Sequence, residues 1–205
     1  MTTIHQRLRQ RTAAFHDALE FRVASIIDNP TASSYAMLLA AMYGYYAPLE
    51  DALAQNVDLT RLGINLDERK KQNLIEADLQ LFGVDAAAIE RCGTLPATQL
   101  AGAALGCLYV LEGSTLGGRV IARRISSRLN VTPDSGLLFF TGYGAECGTM
   151  WREFLTSLER ASADDAFAEE TCQGAIDCFA KLDNWLERSL ALGGMRENKT
   201  SNSRK

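Results

Sequence analysis

Residues 106–123, GCLYVLEGSTLGGRVIAR, decide the fold. Apolar positions continue at helical spacing through Val120, Ile121 and Ile125, so the stretch reads as the middle of one long helix, Ala97 to Leu129, interrupted by Gly113, Gly117 and Gly118. Each interior glycine costs about 1 kcal/mol relative to alanine, roughly 3 kcal/mol for the three, so something must offset that loss. Close helix–helix packing is one explanation, because Gly102/Gly106 and Gly113/Gly117 both have GxxxG spacing. Close approach of the backbone to a flat ligand, with a kink that side chains would block, is the other. A phosphate-binding loop is a poor fit, since no strand precedes the glycines and no Gly-Lys-Ser/Thr follows.

Outward from this segment, helical periodicity dominates. Leu8, Phe15, Leu19 and Val23 form one stripe with Thr12, and Asn29-Pro30 ends that first helix. Thr31, Ser33 or Ser34 can cap a second, carrying Tyr35, Leu38, Leu39, Met42, Tyr45, Tyr46 and Leu49, which Pro48 is expected to bend or end. A third is predicted near Asp67 to Phe82, stopped by Gly83, with a short turn around Ala86 to Arg91. Pro133 to Gly144 reads as the main loop, its Gly136–Phe140 piece as briefly extended. Met150 to Leu158 and Asp164 to Leu192 supply the last two helices. With no alternating strand pattern, the expectation is an all-α single domain over 1–194 and a polar, disordered tail over 195–205.

Composition excludes several function classes. Apolar residues make up 47%, enough for a core, and Lys plus Arg number 21 against 25 Asp plus Glu, a net charge of −4. Nucleic-acid binding needs concentrated cations that such a chain lacks. No segment reaches the roughly 20 apolar residues of a membrane span, and the N-terminus lacks a signal-peptide apolar region, so a cytoplasmic protein without membrane partners is expected. Five scattered cysteines, with no CxxC pair, argue against a disulfide framework and a zinc site.

His16 stands at the edge of the first helix's apolar stripe. Alone, it reads as a hydrogen-bonded core histidine. Glu20, four residues on, is placed to accept from its Nδ1–H and leave Nε2 free for a metal. Arg9, about 20° away in projection and about 10.5 Å along the axis, could hold an anionic group at the rim of a ligand centred on His16. The chain offers no His-x-x-x-His, no Glu-x-x-His and no facial triad with two histidines. A single axial imidazole is the ligation mode of haem iron.

Four segments carry a family resemblance: residues 8–16 (LRQRTAAFH) with Leu19-Glu20, 43–49 (YGYYAPL), 109–118 (YVLEGSTLGG), and Gly142-Tyr-Gly144 with residues 151–154 (WREF). Together they resemble the haem oxygenases, in the short bacterial type often found alongside bacteriophytochromes, over about residues 4 to 190. The resemblance implies an all-α helical bundle with haem between the first helix and a kinked distal helix. It implies His16 as the proximal iron ligand, Gly113, Ser114 and Gly117 as the distal wall, and Arg9 and Tyr109 as partners of the propionates. Trp151 and Phe179 resemble pocket-lining aromatics. Haem would be cofactor and substrate, O2 the co-substrate, and biliverdin, carbon monoxide and iron the products. Electrons would come from a separate reductase or ferredoxin-type donor, and a bacteriophytochrome would be a candidate acceptor of the pigment. Ser114 occupies the place where animal members carry an Asp, and only Lys181 and Arg188 offer a basic residue on the last helix. Competing readings are a haem storage or delivery protein without turnover, a helical thiaminase-like enzyme built on a cysteine nucleophile, and a protein-interaction module, which leaves the glycines at 113–118 unexplained.

Overall fold

The computed structural model describes the backbone of residues 2–202 and the side chains of residues 2–192. The 195–205 tail therefore lies outside the residues whose side chains are described. Among the described residues there are eight α-helices: α1 (Ile4–Asp28), α2 (Ala32–Ala54), α3 (Val57–Arg61), α4 (Gln72–Leu81), α5 (Ala101–Ser126), α6 (Leu138–Thr141), α7 (Cys147–Ala161) and α8 (Asp165–Asn202). Among the described residues no strand forms, only isolated bridges at Thr132, and no helix is long and apolar enough to cross a membrane.

Capping boxes start the first two helices. Thr3 Oγ1 accepts from the Gln6 N–H while Gln6 reaches back to the Thr3 N–H, and Thr31 and Ser34 repeat the exchange. Helix α2 then continues through Pro48 to Ala54, so the proline does not end it. Proline cannot donate to the carbonyl four residues back, which is that of Gly44. That carbonyl instead accepts from the Cys92 N–H at 2.8 Å, so no buried acceptor is left unpaired. The 138–140 piece also differs from the extended segment expected. It is the helical turn α6, because the buried Asp78 carboxylate accepts the Leu138 and Phe139 N–H groups, each at 2.9 Å, and so caps its N-terminus.

Helix α8 is the spine, packing on α5, α1 and α2. Tyr45 donates to the Cys178 carbonyl at 2.9 Å and Trp185 Nε1 to the Ala41 carbonyl at 2.7 Å, tying α2 to it. Arg22 of α1 grips Asp183 with two parallel bonds. Between α5 and α8 the backbones almost touch. A Cβ at Gly106 would sit 2.1 Å from the Thr171 carbonyl oxygen, and one at Gly174 would sit 2.4 Å from that of Ala103. Gly106→Ala is therefore expected to destabilise the fold by about 3 kcal/mol, the upper end of the usual overpacking cost. In a thermal melt that is a fall in Tm of about 10 °C.

Candidate functional site

Helices α1 and α5 meet at two places. At one, Tyr109 lies against Thr12, and its ring stands 6.2 Å from His5 and 5.7 Å from Trp151. At the other, Arg124 Nη1 pairs with Asp28 at 3.0 Å. The second junction lies C-terminal to the first on both helices, so they run in the same sense, over about 24 Å on α1 and about 22 Å on α5. His16 and Glu20 fall between the junctions on α1, one and two turns after Thr12. Gly113 and Gly117 do the same on α5 after Tyr109.

This interval is the candidate slot, because α5 is open there at its glycines. A Cβ built on Gly113 or Gly117 meets nothing within 4 Å. This separates the two GxxxG pairs: Gly102 and Gly106 face α8 at contact distance, whereas Gly113 and Gly117 face open space. Close helix packing thus explains the first pair and not the second. The glycines do not break α5, which is helical from Ala101 to Ser126. In the same interval on α1 the His16 side chain is 56% exposed, with no hydrogen bond to any described residue.

The predicted site residues distribute around this slot. Glu20 Oε1 lies 3.8 Å from His16 Nδ1, close enough for charge attraction but longer than a hydrogen bond. Phe179, buried on α8, meets the His16 ring edge-on at 6.2 Å and forms the floor beneath it. Tyr109 closes one end with Trp151, which stacks on Phe154. Burial raises the Tyr109 pKa, and the Thr12 hydroxyl and the Arg9 charge oppose that shift, so the exposed Arg9 acts at this same end. Of the two basic residues on α8 whose side chains are described, Lys181 donates to the Leu95 carbonyl at 2.6 Å and Arg188 lies 5.8 Å over the Trp185 ring.

Ser114 and Thr115 bond back into their own helix, to the carbonyls of Leu111 at 2.7 Å and Glu112 at 2.8 Å. The buried Tyr46 hydroxyl also meets that of Ser114, while burial raises the Tyr46 pKa and keeps the phenol protonated. Sequence reasoning missed Tyr46 as a site residue, although it stands in one of the matching segments. It also missed the ion cluster behind Gly113. There Glu112, 1% exposed, accepts from Arg69, from Lys71 at 2.6 Å and from Tyr143 at 2.7 Å. All five cysteines are buried and unpaired, which leaves no exposed thiol for the cysteine-nucleophile alternative.

A profile described as Heme oxygenase matches residues 2–188. The chain belongs to the heme oxygenase family. Family membership makes it an enzyme that degrades haem to biliverdin. A heme oxygenase of Xanthomonas campestris is 32% identical over 160 residues, spanning 76% of this chain and 90% of that protein. The heme oxygenase PigA of Pseudomonas aeruginosa is 27% identical over 186 residues, 91% of this chain and 92% of its own. Among solved structures, the NO- and CO-bound heme oxygenase of Neisseria meningitidis superposes with a TM-score of 0.81 at 20% identity, over 93% of this chain and 94% of that one. The Synechocystis heme oxygenase-1 in complex with heme gives 0.73 at 19% identity, over 97% and 99%. The all-α architecture of this chain is thus the fold of these oxygenases. The residues of this interval suit the family's substrate: an exposed imidazole on α1, glycines without neighbours on α5, and a cation and a phenol at one end.

Proposed function

We propose that the chain binds haem in the slot between α1 and α5 and cleaves it with O2 and external electrons to biliverdin, carbon monoxide and iron. The observation that carries this reading is the pair of glycines whose absent side chains face open space, on the stretch of α5 that runs beside the exposed His16 of α1 between the two junctions. His16 would ligate the iron through Nε2, with Glu20 orienting the ring through Nδ1. Arg9 and Tyr109 would hold the propionates, and Phe179 and Trp151 would pack on the ring. When bound, haem supplies both the iron that reacts with O2 and the ring that is opened.

The protein's own contribution follows from its hydrogen bonds. Ser114 Oγ gives its proton to the Leu111 carbonyl and meets the protonated phenol of Tyr46. One lone pair on the serine oxygen then remains for a water in the slot, which it would orient as a proton donor. An imidazole ligand, unlike a thiolate, does not push electron density toward O–O cleavage. The outcome therefore depends on how closely the Gly113 and Gly117 backbone lets O2 lie over the ring.

Electrons need a separate donor, and α5 offers a surface for one. Between Gly113 and Pro133 the sequence holds four arginines and no acidic residue, in a chain of net charge −4. Arg119 and Arg123 are exposed beside Leu116 and Val120, 46% and 54% exposed. A basic surface with exposed apolar side chains suits an acidic reductase or ferredoxin-type partner. Free thiols and such a donor suit the cytoplasm. The resemblance to the phytochrome-associated type adds a bacteriophytochrome as acceptor of the product.

Aerobic turnover of the hemin complex with product chromatography tests the reading. With ascorbate the Soret band is expected to decay to a green pigment that elutes as biliverdin. With a ferredoxin and its reductase the rate should also fall steeply as salt is raised. A stable Soret band under both reductants would favour storage or delivery, and failure to bind hemin would refute both.

A further inference from the structure

The ion cluster at Glu112 plays no part in the chemistry described so far, yet it sits one residue before the open wall. Its bonding is complete. Lys71 Nζ spends its three protons on Glu112, on the Tyr143 oxygen at 3.1 Å and on the Arg69 carbonyl at 2.8 Å. Arg69 also reaches the Met150 carbonyl at 3.3 Å. Glu50 of α2 accepts the N–H groups of Lys71 and Gln72 at 2.8 and 3.0 Å. One buried cluster therefore joins α2, the start of α4, α5, the loop before α7, and α7 itself.

Burying such charges is a poor way to gain stability. Well-packed apolar side chains of similar volume commonly do as well or better, and the better-attested use of buried ions is to fix one arrangement among several. Here the arrangement matters. Gly113 and Gly117 make no contact that could hold their part of α5 in place. Glu112 lies about 100° around the helix from Gly113, so it grips α5 from the side away from the slot. Beyond the glycines, Gly118 is seated on the Phe140 carbonyl, where a Cβ would come within 2.2 Å. Between these two points the inner side of the wall rests on Ser114, which meets Tyr46, and on buried Thr115, while its glycine side is open.

We propose that Glu112 is a positioning residue: held by Lys71, Arg69 and Tyr143, it sets the height and roll of the Gly113–Gly117 wall over the substrate ring, and through them which ring edge is cleaved. This rests on the haem-cleaving reading above. The sensitivity is large, since a misplacement of about 1 Å can change a rate by about 100-fold.

Two variants test it, Glu112→Asp, which shortens the grip, and Tyr143→Phe, which removes the two bonds of the phenol, to Glu112 and from Lys71, at the partly exposed edge of the cluster and keeps the fold should the first fail. Both are read by the ratio of biliverdin isomers and by the visible spectrum of the ferric hemin complex. The expected result is a change in isomer ratio of about threefold or more, the effect of well under 1.4 kcal/mol between competing routes, with an altered spectrum and hemin still bound. A lower Tm with the wild-type isomer ratio and spectrum would make the cluster merely structural and overturn the proposal. If the wild-type protein yields no biliverdin, the functional reading fails. The spectra then decide alone: altered spectra support Glu112 as the support of the wall, and unchanged ones refute it.

Discussion

His16→Ala is expected to leave the fold intact and remove the axial ligand. The side chain is 56% exposed, and its described contacts are the edge of Phe179 and the Glu20 carboxylate. The change in folding free energy should therefore stay within about 0.5 kcal/mol. Hemin affinity should fall by more than the about 10–100-fold that follows loss of an outer-sphere partner. The Soret band should shift and broaden, and added imidazole should restore it, because the slot that receives the free base is the one the side chain has vacated. An unchanged spectrum would move the ligand elsewhere. His5, set edge-on against Tyr109 and Trp151 at the end of the slot, is the control: His5→Ala should keep the wild-type spectrum.

The second large effect has opposite signs for fold and function. Gly113→Ala and Gly117→Ala place a methyl group in open space within a helix, so each should stabilise the ligand-free protein by about 1 kcal/mol. That is a rise in Tm of about 2–4 °C. Gly117→Leu should also fold at least as well as the natural protein. Its side chain would then occupy the wall over the ring, and turnover should fall by about 100-fold while hemin still binds through His16. Paired melting curves and single-turnover rates check both halves. Normal turnover in Gly117→Leu would show that close backbone approach is unnecessary, and a fall in ligand-free Tm would show that the slot is filled. Gly106→Ala, facing α8 rather than the slot, should behave in the opposite way.

What could be read in the sequence depended on how far away each cause lay. Helices α1, α2 and α5 were legible because apolar period is local, and so is the cap of α2, where Thr31 and Ser34 lie three residues apart. The fate of Pro48 was not, because the donor that satisfies the Gly44 carbonyl is the Cys92 N–H, on a different element. For the same reason α6 read as extended, its cap being Asp78, 60 residues earlier. The five-residue α3 left no periodicity to detect. At the site, GxxxG spacing flagged Gly102/Gly106 and Gly113/Gly117 alike, and only three-dimensional neighbours tell a packing glycine from an open one. Lys71 and Arg69 escaped notice because a lysine or arginine in a sequence reads as solvated until its buried carboxylate partner is known.

The open face that α5 presents at Gly113 and Gly117 ties the lifetime of the protein to its cargo. Any molecule that binds only the native form raises stability with its concentration relative to Kd, by about 2.7 kcal/mol at a hundredfold excess. Here the stabilising molecule is also the one destroyed. On the proposed reading each turnover would consume that molecule, so the protein would lose its own support and return to the state most open to proteases. Cellular abundance should accordingly follow supply, rising while haem is plentiful and declining once it has been consumed, with no separate regulator required.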